Sequence, residues 1–179
     1  MEKEVKRVKM TVAYDGTNYK GWQVQPNGET IEGVLNRTLS SLLGEKIIVT
    51  GASRTDAGVH SMGNVAVFDT KSRIPAEKIS YALNQWLPED IVVQKSEEVP
   101  ADFHPRHCDS RKTYEYRILN REFPLPMYRN NTYFCYRKLD LEKMQQAAEE
   151  MEFEKAIEYR ELLGSVKKIA QKQKITNSD

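Results

Sequence analysis

The chain has 179 residues, of which 39% are hydrophobic and 30% charged, a balance typical of a soluble protein with its own core. No stretch approaches the roughly 18 consecutive apolar residues of a membrane span, and the mixed charges of residues 1–10 do not fit a secretory signal. The two cysteines have no metal-type spacing and need not pair, so we expect a reducing, cytoplasmic location without membrane partners.

The net charge of +1 is unevenly distributed along the chain. Residues 101–138 hold eight Lys/Arg against four Asp/Glu and also contain five tyrosines. Basic and aromatic side chains together are typical of surfaces that bind phosphates and stack on bases. A strand region with solvated arginines would have the same composition, so composition alone leaves both interpretations open.

Hydrophobic patterns in the first part of the chain predict alternating strands and helices. Residues 8–14 alternate apolar and polar side chains with a period of two, which predicts a half-buried strand. Thr30 is a suitable N-cap and Gly44 a suitable C-cap for the helix that follows. Short runs at 47–50 and 64–69, rich in β-branched residues, predict two more strands.

A second helix and two further strands are predicted downstream. Pro75 suits the first turn of a helix that buries Trp86 together with an aliphatic face and ends before Pro88. The next strand begins at Ile91, and Thr113–Leu119 is predicted as another. That last strand would place three side chains on a common face: Tyr114, Tyr116 and Ile118.

The order strand, helix, strand, strand, helix, strand indicates an α+β, ferredoxin-like fold, an antiparallel sheet with two helices on one face. Residues 139–179 differ, because they contain no proline, a single glycine and apolar residues at helical spacing. A change of phase near Glu152 favours a C-terminal helical hairpin over one long helix with a stutter. The predicted domains are therefore 1–138 and 139–179.

The segment Gly51–His60 has the composition of a chemically active loop between two strands. Its glycines allow sharp turns and close approach of a ligand. Arg54 precedes Asp56 by two residues, where it can hold the carboxylate ionised and contact phosphate or a flipped base. An ionised carboxylate on a tight loop can act as a nucleophile or base. A second interpretation stays open from the residues alone, in which Asp56 caps its own turn.

Residues 53–60, with the sequence Ser-Arg-Thr-Asp-Ala-Gly-Val-His, are similar to the defining motif of the TruA-type tRNA pseudouridine synthases. Further segments resemble the same family in order and spacing: Tyr14–Thr17, Gly21–Pro26, Thr30–Glu32, Asn64–Phe68, Leu83–Ile91, Phe103–Arg106 and Lys112–Tyr116. The resemblance extends over about residues 8–143 and implies one half of a pseudouridine synthase fold.

This resemblance implies an isomerase that converts uridine to pseudouridine in the tRNA anticodon stem-loop, with tRNA as its partner. It assigns Asp56 as the nucleophile, Arg54 as the residue that positions it and contacts RNA, and Tyr114 as the aromatic that stacks on the extruded uracil. Attack by Asp56 on the ribose and attack on C6 of the ring both stay open. The implied reaction needs no metal or cofactor, and the sequence has none of their motifs.

Four further residues are candidates for RNA binding: His60, Arg106, Arg111 and Lys112. The last three belong to the basic segment, where phosphate contacts are expected. His60 follows the Asp56 loop and would orient the backbone or RNA, with general-base catalysis as the less favoured role.

Two other groups of residues are interpreted as structural. His104, His107 and Cys108 lie close in sequence but lack a fourth ligand at suitable spacing, which favours surface or packing roles over a metal site. Trp22 and Trp86 could stack on RNA, but aromatic residues in such loop and helix positions more often anchor the core.

The C-terminal segment resembles a different family. Residues 144–179 look like the UVR motif of the UvrC nucleotide-excision-repair protein, whose helical hairpin docks on a matching hairpin of a partner. The resemblance implies a UvrB-like protein partner for this segment. A generic amphipathic hairpin is the alternative, since helical Glu/Lys/Ala patterns recur widely.

The synthases resembled by residues 8–143 have a second, similar half that completes the active-site cleft and supports dimerisation, and no segment here resembles it. We therefore expect an exposed sheet edge and an uncovered apolar face, which the hairpin or a second copy in a homodimer would cover. Two functions stay open: a truncated isomerase using Asp56, and a non-catalytic module that binds RNA or a protein. Recombination, a gene-calling artefact and a designed chimera would each produce such a join.

Overall fold

The structure, a computed structural model, describes residues 4–108, 112–140 and 142–143. The chain divides into two compact units, residues 1–112 and 113–179. No helix in the described ranges is long and apolar enough to cross a membrane. The regular elements of the first unit are, in chain order, β1 (Lys6–Tyr14), α1 (Ile31–Leu43), β2 (Thr50–Gly51), β3 (Ser61–Thr70), α2 (Ala76–Leu83) and β4 (Ile91–Val99).

The first unit is built on a four-stranded sheet with the strand order β2-β3-β1-β4. All of its neighbouring strands are antiparallel, and β1 pairs with both β3 and β4. The predicted antiparallel sheet with two helices, in the order strand, helix, strand, strand, helix, strand, is confirmed.

The hydrophobic core lies against one face of this sheet. Alternate residues of β1, among them Val8 and Met10, are fully buried, as the period of two predicts. They form a single cluster with Leu35 of α1 and Ile79 of α2, so both helices pack on the same core. Burial of each such side chain contributes about 1.5–3 kcal/mol before the entropic cost of folding is subtracted.

Both ends of α1 are fixed by local chemistry, as the sequence predicts. The Gly33 amide donates to the hydroxyl of Thr30 at 3.2 Å, which satisfies one of the free amides of the first turn. Gly44 has a left-handed backbone with φ of 67°, and its amide donates to the carbonyl of Ser40.

A segment after β4 lies on the opposite face of the sheet. Arg7 and Lys9 alternate with the buried residues of β1, so their side chains emerge on this face. Arg7 donates to the carbonyl of Phe103 at 3.0 Å, and the Lys9 ammonium lies 5.7 Å from the centre of the Phe103 ring. These contacts bring the chain across the sheet and direct Arg106 towards the end of β2.

The prediction that Trp86 is buried is wrong, because 61% of its surface is exposed. α2 ends at Leu83, and the side chain of Asn84 then exchanges two hydrogen bonds with the backbone of Val93 in β4. The helical phase is lost at this point, and Leu87 packs against the core instead of Trp86.

The strand predicted at 47–50 is shorter than expected, because β2 comprises Thr50–Gly51 alone. The amides of Ile47 and Val49 donate to the side chains of Ser40 and Asn36 in α1 rather than to a neighbouring strand. Ile47 and Val49 are nevertheless buried. β3 extends beyond the predicted 64–69 at both ends.

In the second unit, β5 (Ile118–Asn120) and β6 (Tyr133–Cys135) form a parallel pair, with a 3₁₀ turn at Pro126–Tyr128 between them. The strand predicted at Thr113–Leu119 is wrong before Ile118. β5 begins at Ile118, one residue after Arg117, whose carbonyl accepts from the Tyr133 amide. The predicted hairpin lies almost wholly outside the described residues, and the domain boundary after residue 138 stays a prediction.

The contact between β1 and β4 contains an ion pair that predicts acid-sensitive stability. Lys9 and Glu97 are register partners with Nζ and Oε1 2.5 Å apart, and Lys95 contacts the other oxygen of Glu97. The Lys9 ammonium, assisted by Lys95, lowers the pKa of Glu97 to about 2 from an ordinary value of 4.5. Because the pKa of Glu97 is lower in the folded than in the unfolded state, the ion pair stabilises the fold above pH 4.5, and this stabilisation is lost as the pH falls towards 2.

We expect Glu97→Gln to lose less unfolding free energy than the wild type when the pH falls from about 5 to 3, because the variant has no carboxylate to protonate. The difference should be roughly 0.5 kcal/mol, since solvent screens an ion pair on the sheet surface. Urea unfolding at the two pH values measures this difference. The matched control is Glu98→Gln, since the side chain of Glu98 is exposed and makes no hydrogen bond or ion pair within the described ranges. An unchanged pH dependence in Glu97→Gln would contradict the expectation.

Candidate active site

The segment between β2 and β3 is fixed along most of its backbone. The buried side chain of Asn64 binds Ser53 twice, accepting from its amide at 3.2 Å and donating to its carbonyl at 3.0 Å. Farther along, the Gly58 amide donates to the carbonyl of Tyr19, and the Val59 amide donates to the carbonyl of Asp56. The residues that form these bonds come from β3 and from the connection between β1 and α1.

Thr55 is held by two residues of the core. Its hydroxyl lies 2.8 Å from the hydroxyl of Tyr14, and its carbonyl accepts from the amide of Trp22 at 3.0 Å. Tyr14 and Trp22 are both buried in the core, with ring centres 5.8 Å apart. The backbone immediately before Asp56 is therefore attached to the core through two different groups.

The loop turns the side chains of Arg54 and Asp56 outward. Ser53 and Thr55 are partly buried, whereas Arg54 and Asp56 between and after them are exposed. The carboxylate of Asp56 has no hydrogen-bond or ion-pair partner within the described ranges, and the turn is closed by its carbonyl instead. The Asp56 side chain therefore does not cap its own turn, and its carboxylate is open to a ligand.

Gly21 permits the close approach of the β1–α1 connection to the loop. Its φ is 97°, and a Cβ on Gly21 would lie 2.5 Å from the carbonyl oxygen of Thr55. Gly16 is similarly close, because a Cβ there would lie 2.1 Å from the carbonyl oxygen of Val59. A side chain at either position would force the two segments apart.

Arg54 and Asp56 do not contact each other. No hydrogen bond or ion pair links their side chains in the part of the chain that the structure describes, and both are exposed. The positioning of Asp56 seen here comes from the backbone anchors of the loop. Direct contact of Arg54 with the carboxylate, and its contact with RNA, stay predictions.

Two of the candidate RNA-binding residues hold the loop backbone. Arg106 Nε donates to the carbonyl of Gly51 at 2.9 Å, and Lys112 Nζ donates to the carbonyl of Ala52 at 3.4 Å. Each side chain retains further donors that could contact phosphate. Arg111 lies outside the described residues.

His60 connects the end of the loop to the start of the β1–α1 connection. Its Nδ1 lies 3.2 Å from the Gly16 amide and 3.0 Å from a carboxylate oxygen of Asp15. The bare nitrogen accepts from Gly16, and the protonated nitrogen donates to Asp15 in its place. The hydroxyl and amide of Thr17, and more weakly His60, hold the pKa of Asp15 below its ordinary value. These contacts place His60 where it orients backbone.

The remaining candidate residues make none of the hydrogen bonds to the loop described above. Tyr114 belongs to the second unit and is 59% exposed, and its stacking role stays a prediction. The rings of His104 and His107 stack with centres 4.2 Å apart, and the Cys108 thiol donates to a backbone carbonyl. Among the described residues, no three His, Cys, Asp or Glu side chains form a group that could hold a metal.

Three functional contributors escaped the sequence reasoning: Tyr14, Gly21 and Asn64. The sequence placed Tyr14 in a strand and in a segment that resembles the family, but assigned its side chain no role, although a tyrosine hydroxyl buried at a strand end needs a partner. A polar Asn64 in a strand that is otherwise buried was the available signal for its side-chain bonds to Ser53.

Comparison with known proteins identifies the class to which this fold and loop belong. A family model described as tRNA pseudouridine synthase matches residues 10–107, more than half of the chain. The chain therefore belongs to the tRNA pseudouridine synthase family. A second model, described as the UvrB/uvrC motif, matches residues 141–169.

Several curated relatives are similar to this chain over most of its length and are longer than it. It is 49% identical over 144 residues to tRNA pseudouridine synthase A of Acetivibrio thermocellus and 47% identical to that of Ruminiclostridium cellulolyticum. It is 46% identical to tRNA pseudouridine synthase A 2 of Clostridium perfringens. Each alignment covers 80% of this chain but 59% of the relative, so the chain spans about three fifths of the relatives' length.

The contact at Gly21 predicts a specific sensitivity to an added methyl group. Gly44 also has a positive φ, but a Cβ there meets no atom within 4 Å. We expect Gly44→Ala to lose about 1 kcal/mol of unfolding free energy from backbone strain alone. Gly21→Ala should lose at least about 1 kcal/mol more, because the methyl group also displaces Thr55. Urea unfolding of both variants measures the difference, and equal losses would contradict the proposed close approach.

Proposed function

We propose that this chain is the Asp56-bearing half of an isomerase that converts uridine to pseudouridine in the anticodon stem-loop of tRNA. The observation that carries the proposal is the exposed, unpaired carboxylate of Asp56 on a loop with a fixed backbone, within the segment that matches the family. A carboxylate held in this way is available as a nucleophile, and its position costs little further ordering when a substrate binds.

In the proposed reaction, Asp56 attacks either the ribose or C6 of the uracil ring. The bond between C1′ and N1 breaks, the uracil rotates, and a bond forms between C1′ and C5. The bond to Asp56 breaks, the proton on C5 leaves to solvent and N1 gains a proton, so the product is an isomer of the substrate and the carboxylate is regenerated. Tyr114 would stack on the extruded uracil, as base-modifying enzymes require an unstacked base held against an apolar or aromatic face.

The RNA would be held by basic side chains around the loop. Arg54 is exposed beside Asp56, and Arg106 and Lys112 keep donors beyond those that bind the loop backbone. Arg111 belongs to the same basic segment, and His60 would contribute by orienting the loop. Such contacts give binding that weakens with added salt.

We propose that the first unit is a ferredoxin-like half of a pseudouridine synthase fold, working in the cytoplasm. The relatives contain further sequence beyond the 59% that this chain spans. Electrostatic catalysis needs groups held in a closed site, so the chain alone should turn over more slowly than a full-length relative.

Release of tritium from tRNA labelled at C5 of uridine tests the proposal. We expect release by the wild type to exceed that of Asp56→Asn by at least about 100-fold, since the variant lacks the attacking carboxylate. Asp102→Asn is the matched control, because Asp102 is an exposed acid of the same unit without a hydrogen-bond partner in the described ranges. Equal release by the wild type and Asp56→Asn would overturn the enzyme proposal. Salt-dependent tRNA binding without release would then support an RNA-binding module.

The match of residues 141–169 to the UvrB/uvrC motif favours a second function, protein binding through the C-terminal segment. We propose that residues 144–179 bind a UvrB-like protein, and that the chain forms a homodimer. Deletion of residues 145–179 should abolish co-elution with UvrB and leave tRNA binding unchanged. Co-elution that survives the deletion would contradict this role, and light scattering of both forms tests the homodimer.

A further inference from the structure

The hydroxyl groups of Tyr14 and Thr55 form a hydrogen bond that joins the core to the residue before Asp56. The two oxygens are 2.8 Å apart, although the residues are 41 positions apart in the chain. Tyr14 is the last residue of β1 and only 5% of its surface is exposed. Burial raises the pKa of Tyr14, so its hydroxyl stays protonated and can donate to Thr55.

The direction of the Asp56 side chain depends on the rotation of the backbone at Thr55. One contact, from the Trp22 amide to the Thr55 carbonyl, fixes the peptide that links Thr55 to Asp56. The second contact, to Tyr14, fixes the side chain on the opposite side of the residue. With both in place, Thr55 faces inward and Asp56 faces outward. Loss of the second contact leaves a single attachment about which the residue can turn.

We infer that Tyr14 is a positioning residue for Asp56, acting through its hydrogen bond to the Thr55 hydroxyl. The kinetic consequence of this inference rests on the proposed function, whereas the anchoring of the loop by Tyr14 is independent of that function. Because Tyr14 is buried, it does not contribute to RNA binding through contact with solvent-exposed phosphates. Its loss should therefore lower kcat and leave KM unchanged, since misplacement of a reacting group affects the chemical step.

The test uses variants of the full chain that remove or retain the hydrogen bond between Tyr14 and Thr55; Thr55→Val leaves the contacts of the Tyr14 hydroxyl with Asn64 and Ser61 in place. Tyr14→Phe and Thr55→Val each remove this hydrogen bond, whereas Thr55→Ser retains a hydroxyl. The double variant, with Tyr14→Phe and Thr55→Val together, shows whether the two substitutions act through the same hydrogen bond. Ser96→Ala is the matched control. It removes another buried hydroxyl, which accepts from the Ser80 amide between β4 and α2, away from the Asp56 loop.

Two measurements separate positioning from general stability. Hydrogen exchange of the Trp22 and Val59 amides should accelerate about fivefold in Tyr14→Phe and Thr55→Val, and remain close to the wild type in Thr55→Ser and Ser96→Ala. Single-turnover tritium release should fall about 10- to 100-fold in the first two variants at unchanged KM, with rescue by Thr55→Ser. The double variant should be no worse than the poorer single variant.

Unchanged exchange in Tyr14→Phe would overturn the inference whether or not the wild type shows turnover. Accelerated exchange with unchanged kcat would also overturn it, because the anchor would then have no effect on Asp56. Failure of the proposed function has a different signature: release by the wild type would equal that of Asp56→Asn, while the exchange measurement would still show whether Tyr14 holds Thr55.

Discussion

Thr55 connects the hydrophobic core to the exposed side chains of the loop, and the geometry of the candidate site depends on this connection. Its partners, Tyr14 and Trp22, are themselves held by the packing of β1 and α1. The position of an exposed carboxylate is thereby set by side chains that never reach solvent. Hydrogen bonds order the loop, and apolar burial holds Tyr14 and Trp22 in place; this burial is larger and less dependent on salt than a surface ion pair.

The absence of a contact between Arg54 and Asp56, within the described residues, has a chemical advantage. An ion pair between them would have to break before either side chain could bind a substrate, and its energy would be subtracted from binding. Cationic donors instead reach the backbone carbonyls of Gly51 and Ala52, which take no part in the proposed chemistry. The loop is thus stabilised without occupying the groups that it presents.

Features controlled by neighbours in sequence were predictable, and those controlled by distant side chains were not. The caps at Thr30 and Gly44 depend on residues within one helical turn, so their sequence signals were sufficient. The burial of Trp86 failed because Asn84 bonds to a different element, β4, and ends α2 early. A hydrophobic pattern contains no information about such side-chain-to-backbone contacts.

The candidate site likewise has a part that was predictable from neighbouring residues and a part that depends on distant ones. Asp56, the residue proposed to react, was evident from a motif that is contiguous in sequence. The loop around it is supported by Tyr14, Gly21 and Asn64, on both sides of the motif and in different elements. Resemblance to a family therefore indicated Asp56 as the candidate, whereas the structure was needed to show what holds the loop that presents it.

The outer side of β4 offers backbone groups that no strand of the described ranges pairs. A nine-residue edge of this kind would ordinarily recruit a strand from another molecule. Here Lys95, Glu97 and Glu98 give this part of the strand both signs of charge, so a hydrophobic strand could add only by stripping water from ions. The side chain of Asn84 also binds the amide and the carbonyl of Val93, so a strand that paired along the whole edge would have to displace it.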